Sequence, residues 1–153
     1  MDIKRRPFLP IVLLRGKLCR IMDSSSLAAE VDCPLNWMTL NDETQRKAPF
    51  EIGVYSFRLE GGRKFGRLRG ESDIVYIGSA SGRGGIRQRL YFHLHPGPSQ
   101  LTNLRSKQLQ GRVHLQVACV PEPNPVKFET KILDQYLEDH WELPPLNRSA
   151  SKI

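Results

Sequence analysis

Apolar and polar residues alternate with a period of two in three stretches of this chain, at residues 52–59, 74–79 and 113–119. Because successive side chains of a β-strand point to opposite faces, this period predicts three strands. Helical spacing follows in residues 86–95, where apolar residues recur every four positions, and again in residues 125–141. Proline pairs or Pro-Gly follow both helical stretches, and they predict where the helices end.

The order of the elements predicts the fold. A further helix is expected over residues 100–109, so the chain follows the order strand, strand, helix, helix, strand, helix. Three strands need a covering layer, and the helices supply it. We therefore predict an α/β (α+β) fold with a small three-stranded antiparallel sheet flanked by helices. Residues 1–49 are predicted to be an N-terminal extension packed on the core, and residues 50–153 the main domain.

The distribution of charged residues predicts the class of binding partner. The net charge is +7, and between Arg58 and Arg112 there are 11 Lys/Arg against 3 Asp/Glu. A focused basic region favours a polyanion such as nucleic acid, although a solvated basic surface gives the same count. The three cysteines are far apart and show no zinc spacing, which is typical of reduced thiols in a cytoplasmic protein. No apolar run is long enough to span a bilayer, so no membrane partner is expected.

Two short strings place a tyrosine two residues from a glycine, Gly53-Val54-Tyr55 on the first strand and Tyr76-Ile77-Gly78 on the second. Residues two apart share a face of a strand, so each tyrosine is expected to stand beside a bare glycine. Antiparallel pairing of the two strands can bring both phenols to one face. A phenol with open space beside it can act as a polar reagent.

Three charged residues on the predicted helices are further candidates. Glu129 falls within the apolar stripe of the last helix, where a carboxylate needs a metal, a hydrogen-bond donor or an ion-pair partner. Arg89 and His93 lie four residues apart on one helix face, a pairing that suits phosphate but is also common on solvated surfaces.

Basic residues flank these candidates in two loops. The loop over residues 60–72 is expected to grip DNA or to be a disordered basic loop, and the Gly-rich turn before the first helix carries an arginine that can contact a phosphate. The predicted nucleic-acid-binding residues are Arg63, Lys64, Arg67, Arg69, Arg83 and Arg87. Arg87 also competes with Arg89 for a catalytic position.

The ordered set resembles the GIY-YIG nuclease family over roughly residues 50–148. That family has a GIY-type strand, a YIG-type strand, an arginine on the next helix, a glutamate on a later helix and often a terminal asparagine. The matching residues here are Gly53-Val54-Tyr55, Tyr76-Ile77-Gly78, Arg89, Glu129 and Asn147. The Gly53–Tyr76 spacing is longer than in many members.

The resemblance implies cleavage of DNA phosphodiester bonds with one Mg²⁺ or Mn²⁺ held by Glu129, and it leaves RNA open as a substrate. It implies that Tyr55 or Tyr76 activates water and that Arg89 stabilises charge on the phosphate. His93 would assist proton transfer, and Asn147 would hold Tyr55 or the substrate. Cutting both strands would need a homodimer or sequential nicking. The other hypotheses are a catalytically inactive nucleic-acid-binding module of the same fold and a protein-interaction domain.

Overall fold

The computed structural model describes residues 22–31, 35–97 and 114–147. Within these ranges the chain is a mixed α/β protein with four α-helices, a four-stranded antiparallel sheet and a two-stranded antiparallel sheet. The elements are α1 Ser24–Glu30, β1 Met38–Thr39, α2 Asp42–Lys47, β2 Gly53–Leu59, β3 Phe65–Gly66, β4 Glu71–Ser72, β5 Ile74–Ala80, α3 Gly85–Leu94, β6 Leu115–Pro121 and α4 Pro125–His140.

The main sheet has the order β1-β6-β2-β5, so that β2 lies in the middle between two long partners. Its three long strands are those that the alternation predicts, and the mixed fold with an antiparallel sheet is confirmed. The predicted number of strands was too low, because β1 adds a fourth strand at the edge. Two residues are too few to show a period of two, and β1 forms only because Met38 and Thr39 pair with β6.

The bounds of β2, β5, β6, α3 and α4 differ from the predicted ones by at most two residues wherever both can be compared. The predicted helix over residues 100–109 lies outside the described residues, as does Val113 at the start of the predicted third strand.

The two faces of the sheet are covered by different helices. On one face, Tyr55, Phe57 and Tyr76 pack against the buried Ile86 and Leu90 of α3. Antiparallel pairing of β2 with β5 sets Tyr55 opposite Gly78 and Phe57 opposite Tyr76. Both tyrosines therefore lie on the face that α3 covers.

On the other face, α4 supplies the main apolar contacts. Ile132 and Leu133 of α4 are buried beside Ile74 and Ile77 of β5. Met22 of the N-terminal segment, 1% exposed, belongs to the same cluster. Burial of each such side chain stabilises the fold by about 1.5–3 kcal/mol. None of the helices in the described part of the chain has the length and apolar character needed to cross a membrane.

Candidate active site

Gly78 creates the space in which the two tyrosines meet. A Cβ atom at this position would lie 2.7 Å from Cε1 of Tyr76 and 2.8 Å from Oη of Tyr55. The two rings, whose centroids are 5.9 Å apart, therefore both pack over the bare backbone of one glycine. Gly53 has a different role from the expected one, since a Cβ there would lie 2.2 Å from the backbone oxygen of Val120 and 2.9 Å from Cδ1 of Ile86. The missing side chain lets both β6 and α3 approach the backbone of β2 closely.

His93 of α3 joins the two tyrosines. Its Nε2 lies 2.6 Å from Oη of Tyr55, within hydrogen-bonding distance. Its ring meets the Tyr55 and Tyr76 rings edge-on at centroid distances of 5.5 and 5.4 Å. Leu90, three residues earlier and fully buried, fixes this side of α3 against the sheet. The sequence pairing of Arg89 with His93 thus brings the imidazole to the tyrosine pair.

The structure separates the roles of the two competing arginines. Arg89 is exposed, and its guanidinium lies close enough to the Tyr55 hydroxyl to lower the pKa of that group. Arg87 instead donates from Nε to the carbonyl oxygen of Ala48 at 2.7 Å and lies 3.6 Å from the centroid of the Phe50 ring. Arg87 therefore ties α3 to the segment that precedes β2, and Arg89 is the arginine of the tyrosine cluster.

The electrostatics of Tyr55 determine which way its proton points. Burial raises the pKa of Tyr55 well above its usual value of 10, and the adjacent Tyr76 raises it further, whereas Arg89 lowers it. The phenol consequently keeps its proton at neutral pH. Its O–H can donate to Nε2 of a neutral His93, while its oxygen lone pairs still accept hydrogen bonds.

Glu129 lies on the other side of β5. Its Oε2 accepts a hydrogen bond from Oγ of Ser79, the residue directly after Gly78. Neighbouring residues of a strand point to opposite faces, so Glu129 and the tyrosine cluster flank one end of β5 from its two faces. Glu129 is half-buried, whereas Leu133, one turn further along α4, is fully buried. The carboxylate therefore lies at the rim of the contact between α4 and the sheet.

Ser79 is a residue that the sequence reasoning missed. It is the partner that a carboxylate on the apolar side of α4 requires, and no arginine of the described ranges forms an ion pair with Glu129. The sequence signal that could have identified Ser79 is its hydroxyl at the end of an apolar strand, directly after Gly78.

The donor set around Glu129 limits how it could hold a metal ion. In the described ranges there is no group of three or more His, Cys, Asp or Glu residues that could bind one. Mg²⁺ is commonly held by one or two carboxylates together with waters and substrate phosphate oxygens. A single glutamate with a neighbouring hydroxyl fits that mode and does not fit a cage built from protein ligands alone.

Asn147 does not contact Tyr55 as the resemblance implied. Its Oδ1 accepts from the backbone N–H of Ile77 at 3.0 Å, and its Nδ2 donates to the Ile77 carbonyl oxygen at 2.8 Å. The backbone N–H of Leu146 donates to the carbonyl oxygen of Val75 at 2.9 Å. The asparagine amide therefore takes the place of a neighbouring strand along the outer edge of β5, and its role at the site is to fix Ile77 beside Gly78.

The predicted basic loop over residues 60–72 is an ordered β3–β4 hairpin. Arg67 within it is only 9% exposed and lies 3.1 Å from the Glu142 carboxylate, so its prediction as a nucleic-acid contact is corrected. Lys64 forms an ion pair with Asp23 at 2.9 Å but stays 45% exposed. The remaining predicted contacts Arg63, Arg69 and Arg83 are exposed.

Comparisons with known proteins found no relative of this chain. No family model matches the chain, and no match was found among curated proteins or solved structures.

Proposed function

We propose that this protein is a divalent-metal-dependent endonuclease that hydrolyses DNA phosphodiester bonds. The observation that carries the proposal is the meeting of Tyr76, Arg89 and His93 around the hydroxyl of Tyr55, with Tyr55 Oη 2.6 Å from His93 Nε2. The ordered resemblance to the GIY-YIG family supports the same chemistry.

The roles follow from the protonation of Tyr55. Its oxygen can accept a hydrogen bond from the attacking water while its own proton points to His93. As the water loses a proton to the Tyr55 oxygen, the phenol proton passes to Nε2 of the imidazole, so that no free phenolate is needed. This relay fits the raised pKa of Tyr55 better than a phenolate base does.

Two charged residues would act on the phosphate. The exposed guanidinium of Arg89, which lies near the Tyr55 hydroxyl, would stabilise negative charge that develops on the phosphoryl oxygens. Glu129 would hold Mg²⁺ or Mn²⁺, which when bound would act as a Lewis acid on a phosphate oxygen. The Ser79 hydroxyl donates to one carboxylate oxygen of Glu129, and no residue of the described ranges forms a hydrogen bond with the other.

The test compares two acidic residues of α4. Glu129 is the proposed metal ligand, whereas Glu138 is exposed on the same helix and serves as a matched control. With Mg²⁺ or Mn²⁺ and single-stranded, bulged and duplex DNA as substrates, Glu129→Gln is expected to lower the rate of whatever cleavage the wild-type protein shows at least a hundredfold, and Glu138→Gln to leave it unchanged. Circular dichroism checks that both variants fold, and mapping of the product ends identifies the bond that is cut. Full activity of Glu129→Gln would sink the proposal.

One observation favours a second candidate, a nucleic-acid-binding module without activity. Glu129 and the tyrosine cluster lie on opposite faces of β5, whereas a nuclease must apply both to one phosphate. Salt-dependent DNA binding without any cleavage in Mg²⁺ or Mn²⁺ would decide for this alternative.

A further inference from the structure

Phe92 of α3 is an exposed aromatic residue beside the tyrosine cluster. It is 45% exposed and lies three residues after Arg89 and directly before His93. At 3.6 residues per turn, Phe92 lies about 60° around the helix from Arg89, on the side away from the buried Leu90. Phe92 and Arg89 therefore occupy neighbouring positions on the exposed side of α3.

The exposed charged side chains of α3 and of the turn before it are cationic, and the Asp42 carboxylate that reaches α3 is paired with His95. Helix α3 contains no Asp or Glu, and the turn before it contributes the exposed Arg83. An exposed apolar ring among positive charges suits a partner with flat π-faces and negative charge, which is the combination that nucleic acid offers. An apolar protein surface would match the ring but would leave the arginines uncompensated.

The adjacent Tyr91 is arranged differently. Its ring packs on His95 at a centroid distance of 4.6 Å, and His95 Nε2 lies 2.6 Å from the Asp42 carboxylate. Tyr91 thus belongs to the contact between α3 and α2. Phe92 lies 6.0 Å from the Tyr91 ring between centroids, at an interplanar angle of 68°, and keeps 45% of its surface exposed.

We propose that Phe92 stacks on an unpaired base next to the phosphate that Arg89 contacts. The proposal rests on the proposed nuclease function and narrows its substrate class to DNA with an accessible base face, such as single-stranded or bulged DNA. A base inside an intact duplex has both faces covered by its neighbours and offers nothing for the ring to stack on.

The experiment measures binding without cleavage, in EDTA, with 2-aminopurine at successive positions of single-stranded, bulged and duplex oligonucleotides. The wild-type protein is expected to change the fluorescence at one unpaired position. Phe92→Ala is expected to abolish that change and to weaken binding of single-stranded and bulged DNA about tenfold, while duplex binding is unaltered. Leu68→Ala, at a 71% exposed leucine of the hairpin, is the matched control.

Each contrary result has a defined meaning. If the wild-type protein cleaves DNA and Phe92→Ala binds all three substrates like wild type, stacking is wrong and the nuclease function stands. Equal weakening for duplex and unpaired DNA also refutes the substrate class. If Phe92→Ala instead converts a dimer to a monomer in sedimentation with DNA binding unchanged, this face is a protein interface. If the wild-type protein neither binds nor cleaves nucleic acid, both proposals fail together.

Discussion

The hydroxyl of Tyr55 is the point at which three polar side chains converge, and a single glycine makes that convergence possible. Tyr76, Arg89 and His93 all act on this hydroxyl. At residue scale the tyrosines, the arginine and the histidine could be predicted because their spacing places them on known faces of strands and a helix. The packing of both tyrosine rings over Gly78 could not be predicted, since it depends on how β2 and β5 pair.

A methyl group at Gly78 should therefore disable the site. Gly78→Ala would place a Cβ 2.8 Å from Tyr55 Oη, so that the ring must move away from His93. We expect a drop in cleavage of at least a hundredfold and a loss of about 1–3 kcal/mol in the free energy of unfolding. Gly82→Ala is the matched control, because a Cβ there meets nothing within 4 Å. Cleavage rates and thermal unfolding measure both variants, and equal activity of the two would refute the steric role of Gly78.

Cys119, opposite Tyr55 on β6, makes a pH-dependent contribution to stability. Burial raises the pKa of its thiol from 9.0 to about 12. Because the folded state holds the proton more tightly, this contribution is complete below pH 9 and is lost as the pH rises towards 12. We expect the free energy of unfolding of the wild-type protein to fall above pH 9, and that of Cys119→Val to fall less steeply.

Alkylation gives an independent measure of the same thiol. At pH 8 the native thiolate population should be roughly a thousandfold below that of the unfolded chain, so reaction with iodoacetamide should be correspondingly slow. Peptide mass spectrometry distinguishes Cys119 from the other two cysteines. Equal rates for native and unfolded protein would contradict the burial of this thiol.

At the scale of elements, β5 is an edge strand whose outer side is closed by a side chain. The alternation of residues predicted β2, β5 and β6, and the helical spacing predicted α3 and α4. Neither pattern could show that Asn147 would bond to the β5 backbone, because that contact joins residues 70 positions apart. The resemblance drew attention to Asn147 as a partner of Tyr55 or of the substrate, whereas in the structure its amide bonds to the Ile77 backbone.

Asn147→Ala should weaken this edge. The change removes both hydrogen bonds to Ile77 and should lower the free energy of unfolding by about 1–3 kcal/mol. Asn147→Asp keeps the acceptor for the Ile77 N–H but sets a carboxylate oxygen against the Ile77 carbonyl, so it should be at least as destabilising. Urea denaturation measures both variants. Wild-type stability of Asn147→Ala would mean that the edge contact contributes nothing.

At the scale of the whole molecule, the basic segment divides into internal and surface arginines. Its charge excess could be counted from the sequence, whereas the burial of Arg67 could not, since that depends on Glu142 and the end of α4. The hairpin lies between the end of β2 at Leu59 and the start of β5 at Ile74, whereas Gly53 and Ala80 are at the other ends of these two strands. It therefore begins about 13 Å along β2 from Tyr55, at four residues of about 3.3 Å each.

Matched substitutions of Arg67 and Arg83 separate these two groups. Arg67→Gln removes a buried ion pair and a hydrogen bond to the Leu143 carbonyl, so it should cost about 1–3 kcal/mol of stability and leave DNA affinity intact. Arg83→Gln should leave stability intact, weaken DNA binding and reduce the salt slope of binding by about one. Fluorescence anisotropy across salt concentrations measures the slope. Loss of DNA affinity in Arg67→Gln together with loss of stability in Arg83→Gln would overturn this division.

The closure of β5 by Asn147 also imposes an order on biosynthesis. The two strands that carry the tyrosines are translated early, and the residue that completes their outer edge is translated about seventy residues after Ile77. Until then the Ile77 backbone groups beside Gly78 lack their asparagine partner. Since chains emerge from the amino end and domains fold as units, the geometry of the tyrosine cluster should be completed only once almost the whole domain has been made. A nascent chain that carries both tyrosine strands would accordingly have the side chains of the cluster before it has their final arrangement.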